Sequence, residues 1–142
     1  MSRMTRHFAV VGSGSIGIGW AIVFARAGNR VKVYDLEQSR LDIFTQGVNE
    51  RLQVLQEEGL LNEGADIVYS RISTSLDLAE SLEGAEYIQE CAPEQLEIKK
   101  ALFATLEALA SNSAIIASSS SALKISSFTS DLSTRTRCLV VH

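Results

Sequence analysis

A glycine-rich turn near the amino terminus is the segment whose residue types and spacing most clearly indicate chemistry. It is a G-x-G-x-x-G pattern over residues 12–17, directly after the apolar run Phe8 to Val11. In such a turn the first glycine permits a tight bend, the second lets the backbone approach a pyrophosphate, and the third lets the following helix pack against the strand. Backbone amides at the start of that helix would bind the phosphates. The predicted cofactor contacts in this turn are Gly12, Gly14, Ser15, Ile16 and Gly17.

An acidic residue after a second apolar run completes the pattern. Val31 to Tyr34 predicts a strand, and Asp35 follows it at close to the usual distance of about 20 residues for the carboxylate that binds an adenine ribose. A carboxylate at this position repels a 2′-phosphate, which favours NAD over NADP. We therefore predict an NAD site that includes Asp35. The alternative is a glycine-rich turn without a ligand, and it does not explain why strand, helix, second strand and acid occur in register.

The elements that must position these residues follow from the apolar periodicity. Apolar side chains at helical spacing follow the turn, namely Ile16, Trp20, Val23, Phe24 and Ala27. A second amphipathic helix is predicted over 37–58, with its apolar face at Leu41, Phe44, Val48, Leu52 and Leu55. A polar connection is expected over 59–69, then a short strand near 71–73 and a brief helix ending near Gly84.

The second half of the chain continues the alternation. Strands are predicted at 87–91, 114–117 and 138–142, and a helix over 94–111 with Pro93 at its beginning. The residues of that helix expected to face the sheet are Ile98, Leu102, Leu106 and Leu109. Strands that alternate with helices indicate an α/β fold, a Rossmann-type doubly wound parallel sheet with helices on both faces.

Composition restricts the class of protein. The 142 residues, 46% hydrophobic, suffice for one domain with a substantial core, and the net charge of −4 argues against nucleic acid or an anionic membrane as a partner. Cys91 and Cys138 have neither metal-site spacing nor the density of a disulfide scaffold, so we expect reduced packing residues and no metal. Arg3 and Arg6 before the uncharged run 8–25 resemble a secretory signal, but glycines interrupt that run and cleavage would remove the phosphate turn. We therefore expect a cytoplasmic protein.

Four separated segments together resemble the 3-hydroxyacyl-CoA dehydrogenase family over nearly the whole chain. They are the V-G-S-G-S-I-G turn with Asp35, the I-Q-E-C-A-P-E segment over 88–94 with Lys99, the serine run A-S-S-S-S-A-L over 117–123, and the final V-V-H over 140–142. The wording of the second segment and the serine run is similar to the subgroup that contains L-gulonate 3-dehydrogenase (lambda-crystallin) and carnitine dehydrogenase.

The resemblance implies roles for residues that would otherwise attract little attention. Glu94 and Lys99 match positions that contact the cofactor, although the residues alone indicate an exposed charge pair on a helix. Ser121 matches a serine that lies against the nicotinamide and the substrate oxygen, in what would otherwise be a flexible polar loop. His142 matches the catalytic base, which takes the hydroxyl proton as hydride leaves the substrate C3 for the nicotinamide; an imidazole exchanges protons near neutral pH.

Departures from the family pattern modify this expectation. The chain is expected to be the NAD-binding domain, residues 1–142, without the helical domain that closes the cleft and without the asparagine and glutamate that follow the base. Full-length members of the family are homodimers, and this domain alone should turn over little or no substrate. Arg51 is accompanied by Glu50, Glu57, Glu58 and Glu63, which disfavours CoA phosphates, and Ser119 replaces an asparagine. The expected substrate is therefore a small free L-3-hydroxy acid.

Two other functions remain open from the sequence. A non-catalytic dinucleotide-binding or assembly module would keep the NAD site but not the reaction. A methyltransferase would also combine a glycine-rich turn with an acid after the second strand, and it would bind S-adenosylmethionine rather than NAD.

Overall fold

The computed structural model describes residues 4–142, which form a six-stranded sheet covered by helices on both faces. The strands are β1 (His7–Val11), β2 (Arg30–Tyr34), β3 (Ile72–Ser75), β4 (Tyr87–Glu90), β5 (Ile115–Ser118) and β6 (Cys138–Val140). All neighbouring strands are parallel, and their order is β3-β2-β1-β4-β5-β6. This order confirms the doubly wound sheet, and it reverses between β1 and β4, where such folds bind ligands beyond the carboxyl ends of the strands.

Helices cover both faces because the strands are apolar on both sides. The helices are α1 (Ser15–Arg26), α2 (Gln38–Glu57), α3 (Ala65–Tyr69), α4 (Leu78–Leu82), α5 (Leu96–Leu109) and α6 (Ser126–Thr129), with a 3-10 turn at Ser133–Arg137. Successive residues of a strand point to opposite faces, so Val10 packs with α1 and α2 while Ala9 and Val11 pack with the core around Phe103 of α5. The molecule therefore has one hydrophobic core on each side of the sheet.

The first half of the chain folds close to the sequence prediction. Leu41, Phe44, Val48 and Leu52 of α2 are at most 2% exposed, as their spacing predicts. The uncharged run that resembled a secretory signal forms β1, the turn and most of α1, while Arg3 lies outside the described residues. Among residues 4–142, none of the helices is sufficiently long and apolar to cross a membrane.

Two predictions about local structure were wrong: the absence of a helix in the 59–69 connection, and the position of Pro93 at the beginning of α5. The connection contains α3, which begins after Gly64 and buries Val68; its single apolar turn is too short to show periodicity. Pro93 does not begin α5, because the helix starts at Leu96 and the amide of Gln95 donates to the Pro93 carbonyl over 2.7 Å. Pro93 thus lies in a turn between β4 and α5.

The buried face of α5 also differs from the prediction. Ile98 and Leu109 are 40% and 42% exposed, whereas Lys99, Phe103 and Leu106 are at most 1% exposed. The helix is rotated so that the ammonium group of Lys99 reaches the interior and pairs with Glu90 over 2.6 Å. The predicted face was therefore right for Leu106 and for Leu102, which packs against the core, and wrong for Ile98 and Leu109.

Candidate functional site

The three glycines of the turn between β1 and α1 have different surroundings. Gly12 has a φ of +108°, and a Cβ there would lie 2.6 Å from the Cys91 carbonyl oxygen. A Cβ on Gly17 would collide with the Gly12 carbonyl oxygen, so α1 can pack against the turn only with glycine at this position. A Cβ on Gly14, by contrast, would meet no described atom within 4 Å. The space beside Gly14 therefore lies open at the start of α1, where the first helix amides have no partner within the helix.

Asp35 ties the end of β2 to the same turn. Its Oδ2 accepts hydrogen bonds from the Ser13 amide (3.0 Å) and the Ser13 hydroxyl (2.6 Å), and its Oδ1 accepts from the Leu36 amide (2.7 Å). A carboxylate oxygen has lone pairs for a further donor, so Asp35 can still accept from a ligand hydroxyl. Ser13 had no role in the sequence prediction, and its position inside the motif was the available signal.

A groove of ≈ 560 Å³ runs between the turn and Asp35. It is lined by residues of the turn, Gly12, Ser13 and Gly14, and by 34–37, Arg40, 91–93, Ile98 and Leu102. The Nε of Arg40 lies 4.0 Å from Oδ1 of Asp35 and 3.9 Å from Oε1 of Glu37, so two carboxylates already compensate this cation. The groove is acidic beside an apolar wall, which suits a ribose and an adenine ring.

A second cleft of ≈ 630 Å³ continues beyond Cys91 and Ala92, which line both cavities. It contains six of the residues predicted from the sequence as cofactor or catalytic groups: Ser15, Ile16, Glu94, Lys99, Ser121 and His142. The remaining lining residues are Gly19, Trp20, Val23, Arg51 and Ser119. The structure therefore brings the predicted residues together along one path across the carboxyl ends of the strands.

Glu94 organises the loop after β5. Its Oε1 accepts from the Ser120 hydroxyl over 2.5 Å, and its Oε2 accepts from the Ser121 amide over 2.9 Å. The hydrogen bond from Ser120 is the main cause that lowers the pKa of Glu94 from its ordinary value of 4.5. Desolvation partly opposes it, and the Ser121 amide and the positive charge of Lys99 lower the pKa further. The serine run is thus a loop held by a charged acceptor, and Ser121 is exposed to the cleft.

Lys99 pairs with Glu90 rather than forming the exposed pair with Glu94 that the residues alone indicated. Glu90 is fully buried at the end of β4, and its carboxylate accepts from Lys99 Nζ (2.6 Å), the Ala92 amide (2.9 Å) and the Ser118 hydroxyl (2.5 Å). The sequence prediction missed Glu90, although a charged residue inside an apolar strand was a signal. The pair rigidly connects β4, β5 and α5 beneath the second cleft.

Gln89 connects the strand of Glu90 to the segment that carries His142. Its Nε2 donates to the Ser119 hydroxyl (2.7 Å) and to the Val141 carbonyl (3.0 Å), and its Oε1 accepts from the Tyr87 hydroxyl (2.7 Å). The Val141 amide in turn donates to the Ser118 carbonyl over 2.9 Å. Val141 is therefore fixed by two hydrogen bonds, and the next residue, His142, is exposed to the cleft.

Cys91 is a thiol at neutral pH rather than a nucleophile. Burial raises its pKa to about 11, and its Sγ lies 3.3 Å from the Ser119 hydroxyl oxygen. Cys138 is also a free thiol, and burial raises its pKa as well. Both residues fit the packing role that their spacing predicts.

The apolar stripe of α1 has a role that its helical spacing did not reveal. Ile16 and Val23 are 60% and 52% exposed and line the second cleft together with half-buried Trp20. The core side of α1 consists instead of Ile18, Ala21, Ile22, Phe24 and Ala25. The apolar wall of the cleft is therefore a second face of the same helix.

Comparison with known protein families gives one match over most of the chain. Residues 7–142 match the family described as "3-hydroxyacyl-CoA dehydrogenase, NAD binding domain". A lambda-crystallin homolog from Bos taurus is 43% identical over 136 residues, covering 94% of this chain and 42% of that protein. An L-carnitine dehydrogenase from Pseudomonas sp is 36% identical over 137 residues, covering 96% of this chain and 42% of that protein. The chain thus spans less than half the length of these curated relatives.

Solved structures agree with these sequence relationships. The 3-hydroxybutyryl-CoA dehydrogenase from Escherichia coli K12 superposes with a TM-score of 0.90 and 29% sequence identity. The superposition covers 99% of this chain and 30% of that one. The similarity therefore extends over the whole of the described sheet and both layers of helices.

Proposed function

The chain belongs to the 3-hydroxyacyl-CoA dehydrogenase family, as its NAD binding domain, and from that premise we propose that it serves in the oxidation of an L-3-hydroxy acid at C3. The observation that carries this proposal is that the two cavities adjoin each other. One contains the glycine turn and Asp35, the other contains Ser121 and His142, and Cys91 and Ala92 line both. An extended dinucleotide along this path would present one end to Asp35 and the other to His142.

The residues present fit NAD. The open space beside Gly14 admits a phosphate next to the free amides of Ser15 and Ile16, and the negative charge of Asp35 and Glu37 disfavours a 2′-phosphate. In our proposal Gly12 and Gly17 shape the turn, and Glu94 and Lys99 contact the cofactor near its nicotinamide half. Both groups line the second cleft, and each is fixed by hydrogen bonds within the protein.

In the reaction that we propose, the cofactor takes the hydride and the protein takes the proton. Bound NAD supplies the hydride acceptor. The imidazole of His142 would accept the proton of the substrate hydroxyl, and Ser121 would donate a hydrogen bond to the same oxygen. Gln89 supports this role of His142 because it holds the adjacent Val141 carbonyl.

We further propose a small free hydroxy acid as the substrate rather than a CoA thioester. The outer part of α2 and the segment after it carry Glu50, Glu57, Glu58 and Glu63, whose charge opposes CoA phosphates. One relative is a dehydrogenase of L-carnitine by name. We also propose that residues 1–142 act together with a further helical domain, in a homodimer and in the cytoplasm, as the family resemblance implies.

The proposal is tested by calorimetric titration of the 142-residue protein with NAD, NADP and S-adenosylmethionine, for the wild type, Asp35→Ala and Asp42→Ala. NAD should bind most tightly, and Asp35→Ala should weaken it by about 10-fold or more, since a hydrogen bond to a charged group is lost. Asp42 is exposed on α2 and bonds only Gln38, so its variant is the matched control. Circular dichroism would verify that each variant is folded.

Two outcomes would contradict parts of the proposal. Failure of the folded protein to bind NAD would remove the cofactor role of this domain. Binding of NAD without oxidation of any L-3-hydroxy acid, in a protein extended by the family's helical domain, would favour the non-catalytic module. Substitution His142→Gln in the extended protein should abolish turnover while NAD affinity is retained.

A further inference from the structure

We propose that Arg51 of α2, acting together with the hydroxyl of Ser15, binds the pyrophosphate of the dinucleotide. This inference rests on the proposed function, because it assumes that the cofactor lies along the glycine turn. It adds a cationic contact from a different helix to a motif that ordinarily binds phosphate through its backbone alone. The sequence prediction considered Arg51 only as a cation near CoA.

The geometry places the guanidinium of Arg51 at the first turn of α1. Its NH2 nitrogen donates to Ser15 Oγ over 2.7 Å, and its NH1 nitrogen donates to the Ser15 carbonyl over 3.1 Å. A Cβ on Gly19 would lie 3.9 Å from NH1, an ordinary van der Waals distance, so the guanidinium passes directly beside α1 at this position. The long side chain of Arg51 thus crosses from α2 to the residue that begins α1.

The hydrogen bonding of Ser15 leaves its own proton without a partner. An arginine can only donate, so Ser15 Oγ is the acceptor in its bond with Arg51. The hydroxyl of Ser15 keeps one hydrogen to donate, and no acceptor for it occurs among residues 4–142. Ser15 is exposed and is the first residue of α1, beside the open space at Gly14. A ligand oxygen at this helix terminus would complete its bonding.

The charge of Arg51 is uncompensated, unlike that of the other cations along the path. Within the described residues, no carboxylate oxygen lies within 4.0 Å of its guanidinium, whereas Lys99 pairs with Glu90 and Arg40 lies beside Asp35 and Glu37. A pyrophosphate is an anion, and the dipole of α1 supplies only about half an elementary charge. A guanidinium also matches the spacing of phosphate oxygens.

A substrate carboxylate is the other oxyanion that Arg51 could bind, since this residue lines the same cleft as His142. The bond to Ser15 favours the pyrophosphate, because it holds the guanidinium at the helix terminus where the cofactor phosphates are expected. The experiment below separates these two sources of the anion.

The test is calorimetric titration of the 142-residue protein with NAD and with ADP-ribose, which contains the pyrophosphate but no nicotinamide. Arg51→Gln should lower both affinities by a similar factor, about 10-fold, and should reduce their salt dependence. Arg51→Lys should keep part of the affinity, and Ser15→Ala should cause a smaller loss. Arg30→Gln is the matched control: it removes the same charge at the amino end of β2, opposite the carboxyl ends of the strands where the site lies, and its affinities should change by less than about twofold.

Each contrary result has a distinct meaning. If the wild type binds NAD and Arg51→Gln binds it equally well, the inference is wrong while the proposed function stands. If only NAD, and not ADP-ribose, loses affinity, Arg51 acts at the nicotinamide end and the pyrophosphate role is wrong. If cofactor affinity is unchanged but the extended enzyme has a raised KM for hydroxy acids, Arg51 binds substrate instead. If the folded wild type binds no NAD, the proposed cofactor role fails first.

Discussion

The three glycines of the glycine turn differ in whether the fold itself requires a glycine. Gly12 and Gly17 are required by the protein itself, because side chains there would meet the Cys91 and Gly12 carbonyl oxygens. Gly14 has a φ of −70° and an open surrounding, so nothing in the described protein demands glycine. We therefore propose that glycine at position 14 serves ligand binding rather than folding.

This difference gives a prediction at the residue scale. Gly14→Ala should leave the free energy of unfolding within about 1 kcal/mol of the wild type, since alanine accepts this conformation, but should lower NAD affinity at least 10-fold because the new Cβ occupies the ligand space. Gly17→Ala should instead destabilise the domain by about 2 kcal/mol or more through a clash with the turn. Urea unfolding and NAD titration of both variants would provide the comparison.

Gly28→Ala offers a further control for the same experiment. Gly28 has a φ of +89° with no described atom within 4 Å of its Cβ position, so alanine there adds backbone strain far from the turn. It should lower stability without a specific loss of NAD affinity. Equal NAD affinity of Gly14→Ala and wild type would contradict the location of the phosphate site.

The positions of individual residues in the fold were predictable where a motif defines them by spacing. Gly12, Gly14, Gly17 and Asp35 lie where the motif places them. The partner of Lys99 was not predictable, because Glu90 is nine residues earlier on another element and only the packing of α5 against β4 brings the two together. A buried pair is costly to break, since removal of one partner leaves the other charge unpaired.

At the scale of elements, helices and strands with strong apolar periodicity were predicted correctly, and short or mixed elements were not. The four buried residues of α2 recur every three or four positions and define its face unambiguously. Helix α3 has only five residues and α5 buries a lysine, so their apolar patterns are weak or misleading. Tertiary contacts decide such cases, and a single sequence does not contain them.

Two buried side chains of strand β4, Gln89 and Glu90, connect it to other parts of the site, and the contribution of Gln89 can be tested directly. Gln89→Leu should leave the Val141 carbonyl and the Ser119 hydroxyl without their donor, which should destabilise the domain by about 1–3 kcal/mol. Amide hydrogen exchange at 138–142 should accelerate more than exchange in β1. Gln53→Leu is the control, because Gln53 is exposed and bonds only Glu57, four residues later on α2.

One outcome of the Gln89 experiment would contradict this prediction. If exchange at 138–142 and the stability are both unchanged in Gln89→Leu, the amide does not hold the segment before His142. The connection between β4 and β6 would then consist of main-chain pairing through β5 alone.

For the whole molecule, we expect stability to depend on pH through four carboxylates that accept hydrogen bonds in the folded state. Hydrogen bonds to Arg71, Ser75, Ser120 and Ser133 lower the pKa values of Glu63, Glu80, Glu94 and Glu107, respectively, below their ordinary value of 4.5. A group with a lowered folded pKa stabilises the protein above its unfolded pKa and loses that effect as the pH falls through the folded value. Stability should therefore fall steadily below about pH 4.5.

Thermal unfolding followed by circular dichroism between about pH 6 and pH 3 would measure this effect. In Glu107→Gln, the acid-induced fall in Tm should be smaller, because one of the contributing carboxylates is absent. A Tm that is constant over this range would contradict the contribution of these glutamates.

The edge position of β6 affects how stably His142 is held in place. Strand β6 has three residues, pairs only with β5, and leaves Leu139 and Val140 40% and 41% exposed, while β1 lies between two neighbours and is largely buried. Local opening of such an edge costs less free energy than opening of the whole domain. The proposed base would therefore leave its position in brief excursions that the sheet as a whole does not undergo. On heating, the segment that carries His142 should open before the sheet unfolds.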